Sequence, residues 1–214
     1  MINQALRTKT VYNIARIFIL WGLIAISTSS ANESRQDLKG VTLRWPEARF
    51  TWAYSEEDEP NWLDSGMGLV LFQNAAAAWG SCGVEVKFQG IVKNKVTPKD
   101  QINTLGWAKL SNKIRGLTLR QRINDSVFIK EADIVINTVN LDVQNNPDLL
   151  QKVVTHEFGH ALGLIHSEGC RDVMSSAAEC GWRIANPPPL VPTHNDLAQC
   201  GLRYAAPHKN SENF

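Results

Sequence analysis

The chain has 214 residues, of which 43% are hydrophobic and 20% charged, and its formal net charge is +1. That length fits one domain better than two and lets a chain bury roughly two thirds of its unfolded surface. The composition excludes disorder, and a near-neutral charge with no basic patch excludes nucleic acid as a partner.

In chain order, Arg7, Lys9 and Arg16 precede an apolar run over 17–26 and the small residues Ser29, Ser30 and Ala31. That is the layout of a secretory signal peptide. Residues 1–31 are therefore expected to be removed, leaving one domain over 32–206 and a polar tail over 207–214 that contains His208. An uncleaved envelope anchor is the other reading, but about ten apolar residues fall short of the roughly twenty that span a bilayer. Loss of three positive charges takes the chain from +1 to −2. The expected product is a secreted or periplasmic monomer with no membrane contact after cleavage.

The segment "ARFTWAY" (48–54) alternates as a strand does, and an acidic turn from Glu56 to Glu59 follows it. Asp64 or Ser65 is placed to cap a helix in which Met67, Val70, Leu71, Ala75, Ala78 and Trp79 recur at helical spacing up to Gly80. "VEVKFQG" (84–90), "TLGWAKLS" (104–111), "GLTLRQRI" (116–123) and "ADIVINT" (132–138) read as four further strands. The proline cluster 187–189 with Pro192 reads as a loop, and Thr193 with Asp196 as the capping box of a last helix. His194 inside that box is expected to be a surface residue. Trp107 is expected to pack rather than to serve as a substrate platform.

Export makes an even number of cysteines disposed to pair. Four cysteines allow three pairings; we take Cys170 with Cys180 as a local staple and Cys82 with Cys200 as a long-range tie. None shows the close paired spacing of a thiolate zinc site.

Between 153 and 174 runs "VVTHEFGHALGLIHSEGCRDVM", which places three of the five histidines within eleven positions. A helix over 147–162 is predicted, with Asn146 as cap, Pro147 in the first helical position and Asp148 at the positive end. His156 and His160 then lie one turn apart on one face. Continued as helix, the chain would turn His166 about 120° away from them, so it must leave the helix first, and Gly163 can end it in a left-handed conformation. Three neutral imidazoles leave one corner of a zinc tetrahedron open, the pattern of a catalytic site. Glu157, beside the first ligand, is placed to take a proton from water there. The chain's own frequencies give the five fixed residues, His156, Glu157, His160, Gly163 and His166, a chance occurrence on the order of one in a hundred thousand.

"HEFGHALGLIH" resembles the extended zinc signature of the metzincins, and "DVMSS" with Met174 resembles their Met-turn. Ser167 directly after the third histidine, and eight positions from His166 to Met174, resemble the matrixin branch, as does Ser176 in place of a tyrosine. "LRWPEARFTWAY" is similar to the first matrixin strand, "LGWAKLS" to the edge strand beside the cleft, "EADIVIN" to the strand before the zinc helix and "PTHNDLAQCGLRYA" to the final helix. The resemblance implies an α+β metzincin fold: a twisted, mostly parallel five-stranded sheet with an antiparallel edge strand, two long helices and a C-terminal helix. It implies a single zinc ion on His156, His160 and His166, Glu157 as general base, and Met174 as an apolar floor. It also implies a peptide substrate paired with main chain near Leu105 to Leu110, and a specificity pocket walled by Trp182 and the proline loop. Two departures stand out: the latency cysteine motif of matrixin propeptides is absent, and residues 85–155 hold no histidine for a second, structural zinc. Loop aspartates and carbonyls could hold calcium, but no spacing argues for it. The expected activity is that of an exported zinc endopeptidase. The alternative is a catalytically silent, secreted, zinc-bound protein-binding module, which would have no use for Glu157.

Overall fold

The computed structural model describes residues 42–180 and 189–205. The expected signal peptide, Trp182, Pro187 and Pro188 of the proline loop, and His208 lie outside the described residues. All five expected strands form: β1 (Arg49–Ser55), β2 (Glu85–Val92), β3 (Thr104–Ala108), β4 (Gly116–Arg122) and β5 (Ile129–Asn137). They make one sheet in the order β2-β1-β3-β5-β4. Every neighbouring pair is parallel except β4 with β5. Among the described residues five α-helices accompany the sheet: α1 (Met67–Ala78), the single turn α2 (Leu141–Gln144), α3 (Pro147–Ala161), the single turn α4 (Ala177–Cys180) and α5 (His194–Tyr204). This is the expected α+β architecture, with the antiparallel strand at one edge.

The position of "LGWAKLS" differs from expectation. It forms β3 at the centre of the sheet, paired on both sides, and the edge strand is β4. Its burial agrees with that place: "TLGW" is buried throughout, as a strand covered on both faces requires. Every residue of β4 is only half-buried. On one side Leu105 to Ala108 pair with β5, and on the other Thr104 and Leu105 pair with β1, so the segment is not the sheet's free edge.

The start of α1 differs as well. Its cap is Gly66, held at φ +81 with no side-chain cap bond, and Met67 N–H donates to the Asp64 carbonyl at 2.9 Å. Helix phase turns Gly68, Leu71, Phe72 and Ala75 inward and leaves Met67 and Val70 exposed.

Aromatic rings fill the space between the sheet and its helices. Phe158 of α3 meets Trp52 and Phe50 edge-on, with centroids 6.0 and 5.7 Å away. Buried indoles need partners for their N–H groups. Trp79 donates to the Thr155 carbonyl at 3.0 Å, Trp45 to that of Ala161 at 2.8 Å, and Trp107 to the Tyr54 hydroxyl at 2.8 Å. Trp107 is thus a core residue, 1% exposed. Two of these indoles grip the backbone of α3 and fix that helix on the sheet. The cysteines pair as expected, Cys82 with Cys200 and Cys170 with Cys180.

Candidate metal centre

Helix α3 starts as its sequence demands. Pro147 stands at the first position, and the Asn146 side chain accepts from Leu149 N–H at 3.0 Å. The helix ends at Ala161, and Gly163 takes φ +96. An added Cβ there would also strike the Leu43 carbonyl, so the position needs glycine for handedness and for room. That reversal brings His166 back. His160 Nε2 lies 3.1 Å from His156 Nε2 and 3.2 Å from His166 Nε2. The one predicted constellation is therefore brought together, with one ligand atom from each imidazole available within a 4.8 Å span.

The other ring nitrogens explain why these atoms face inward. His156 Nδ1 is 2.7 Å from the Val173 carbonyl, and His160 Nδ1 is 2.9 Å from that of Leu164. A carbonyl only accepts, so each Nδ1 carries the hydrogen and each Nε2 keeps a lone pair. Burial works the same way. It pushes His156 down to about 3 and His160 well below the usual imidazole value, and the neutral ring is the form that ligates metal. Ligands about 2.05 Å from a tetrahedral zinc stand about 3.3 Å apart, which the 3.1 and 3.2 Å separations approach. The donor set fits a single zinc ion.

Glu157 is 7% exposed and faces β4. The Thr118 hydroxyl is 2.7 Å from its Oε2. Burial pushes this carboxyl up to about 7, against the pull of the Thr118 hydrogen bond and the Arg120 charge. Arg120 Nη1 lies 3.3 Å from the carbonyls of both His160 and Leu164 and so closes the C-terminal end of α3.

The loop after His166 is held from beneath. Ser167 N–H donates to the Met174 carbonyl at 2.9 Å, and the Asp196 carboxylate accepts from Val173 N–H at 2.9 Å and Met174 N–H at 3.2 Å. Asp196 belongs to the predicted capping box of α5 with Thr193; His194 is exposed there, as expected. Asp172 accepts from the Thr193 hydroxyl and from Asn195 Nδ2, both at 2.7 Å. The carbonyl that orients His156 is thus fixed by the start of the last helix. Met174 is 1% exposed and lies where an added Cβ on Gly159 would strike its sulfur.

Sequence reasoning missed Gly116, Thr118, Arg120, Gly159 and the second role of Asp196. For β4 a signal existed, since period-two alternation puts 116, 118 and 120 on one face. For Gly159 there was none, because its neighbours Met174 and Trp79 are distant in sequence.

Comparison with known proteins agrees with this geometry. The model of the matrixin family matches residues 44–183, and the chain belongs to that family of zinc-dependent peptidases. No curated protein matches the chain. Among solved structures it is similar to one described as the GM1-bound form of the ECX AB5 holotoxin. The two share 13% identity and a TM-score of 0.49 over 72% of this chain and 80% of that one.

Proposed function

We propose that this protein is an exported zinc endopeptidase in which His156, His160 and His166 hold the ion through Nε2 and Glu157 is the general base. The observation that carries the reading is the convergence of the Nε2 atoms while backbone carbonyls tie back the Nδ1 atoms of His156 and His160. A zinc ion in that position would acidify water and polarise the scissile carbonyl. Glu157 takes the water's proton and delivers it to the leaving amine. Its place beside His156, with Oε2 held by the Thr118 hydroxyl, suits both transfers. Burial of Glu157 and His156 keeps bulk water from competing at the base.

An extended peptide would dock along β4 rather than β3, because β4 has a strand partner on one side only among the described residues. Residues 1–31 would direct export, 32–206 form the peptidase domain and 207–214 a tail. Two disulfides support a secreted or periplasmic location.

The test is cleavage of casein by the purified protein, beside Glu157→Gln, with zinc measured in both. We expect about one zinc in each and a loss of at least about a thousandfold in the variant. Zinc in both without cleavage by either would instead favour a zinc-bound binding module, and no zinc in either would overturn the whole reading.

A further inference from the structure

The geometry points to Thr118 as a positioning residue: its hydroxyl holds Oε2 of Glu157 and leaves Oε1 as the oxygen that takes the proton, an inference that rests on the peptidase reading above. Alternation along β4 turns Gly116, Thr118 and Arg120 towards α3. At Gly116 an added Cβ would stand 2.8 Å from both Glu157 Cγ and Val153 Cγ1, and 3.0 Å from Glu157 Oε1. The strand therefore lies directly on the glutamate. Two residues on, Thr118 Oγ1 is 2.7 Å from Oε2 and 2.9 Å from the Glu157 carbonyl. A hydroxyl has one proton to give. An ionised carboxylate is the stronger acceptor, and bonds from hydroxyl to carboxylate are the short ones, so the proton points to Oε2.

A free glutamate side chain samples many rotamers. Thr118 removes that freedom from outside the helix. Its own χ1 is restricted by branching at Cβ, and its backbone is locked opposite Ile134 in the ladder with β5. The hydroxyl is thus a fixed point on the sheet, and the glutamate's orientation is set before substrate arrives. Such a device acts on turnover and leaves peptide binding alone. The methyl group of Thr118 has no part in it, which makes hydroxyl and methyl separable.

The experiment compares Thr118→Val and Thr118→Ser with wild type in hydrolysis of fluorescein-labelled casein, with zinc content and thermal midpoint alongside. It also follows the Glu157 carboxyl ¹³C resonance in metal-free protein labelled at glutamate Cδ, assigned by its loss in Glu157→Gln. Thr118→Val should lower kcat about tenfold to a hundredfold, with KM within about twofold and zinc unchanged. Thr118→Ser should restore kcat to within about threefold of wild type, as the hydroxyl alone is needed. The resonance should move in Thr118→Val and return in Thr118→Ser. An unaltered kcat in Thr118→Val, a rise in KM alone, equal loss in Thr118→Ser, or an unmoved resonance would each overturn the assignment. If Thr118→Val does not fold, Thr118→Ala takes its place in the same comparisons. If wild type binds zinc and cleaves nothing, the peptidase reading fails, and the carboxyl resonance alone decides whether Thr118 holds Glu157.

Discussion

At one edge of the sheet, β2 presents Glu85, Lys87, Gln89 and Ile91 to solvent at alternate positions. At the other, β4 has no exposed residue and lays Gly116, Thr118 and Arg120 on α3. An open sheet edge invites unwanted pairing, and charge with a break in register are ordinary ways to blunt it. Edge β2 has both: the Arg49–Glu85 ion pair at 2.7 Å, and a register shift between Trp52 and Ala53 that places Gly90 at φ +134. On β4 the side chains are committed to the helix that bears the histidines. One edge turns alternate side chains to solvent, the other packs its side chains on the helix that bears His156 and His160.

The contrast is sharpest at glycine. Gly116 is required by its neighbours, Gly90 by its backbone: an added Cβ at Gly90 meets nothing within 4 Å. Gly116→Val should therefore drive Glu157 aside and lower casein hydrolysis by about a hundredfold or more, with zinc retained, because misplacing a catalytic group by about 1 Å costs that much. Gly90→Ala should cost about 1–2 kcal/mol in thermal unfolding with peptidase activity unaltered. Equal losses of activity in the two variants would erase the distinction between the edges.

A smaller effect lies under β4, where Asp133 and Glu131 of β5 pair with Leu119 and Gln121. Burial pushes Asp133 up to about 8, aided by the Glu131 carboxylate and opposed by the Thr104 N–H. The folded carboxyl binds its proton more tightly than the unfolded one, so its contribution is full below about pH 4 and lost as pH rises to about 8. Asp133→Asn should gain in thermal midpoint relative to wild type between pH 5 and pH 9, as melts at both values would show. Smallest of all is Glu85→Gln, which removes an exposed ion pair and should leave the midpoint and the activity where they are.

The sequence made the local structure legible: the Asn146 cap, Gly163, the Thr193–Asp196 box and the turn between His156 and His160 all depend on residues within about one turn of one another. It made legible those non-local facts that a single chemistry dictates, such as three imidazoles meeting or cysteines pairing. Strand order was another matter. "TLGWAKLS" alternates well enough for an edge, and only burial on both faces marks it as central. Thr118 and Gly116 escaped because their function lies in contact with a helix some forty residues away. The cap of α1 escaped because Gly66 satisfies no side-chain rule; its positive φ is visible only in the folded backbone.

The Asp196 carboxylate, 23 residues beyond Val173, braces the loop whose carbonyl orients His156. During synthesis the histidines therefore leave the ribosome before their support does. A nascent or prematurely ended chain would carry all three histidines without the brace that orients His156. The orientation of the first histidine is complete only once the helix that carries Asp196 has been made.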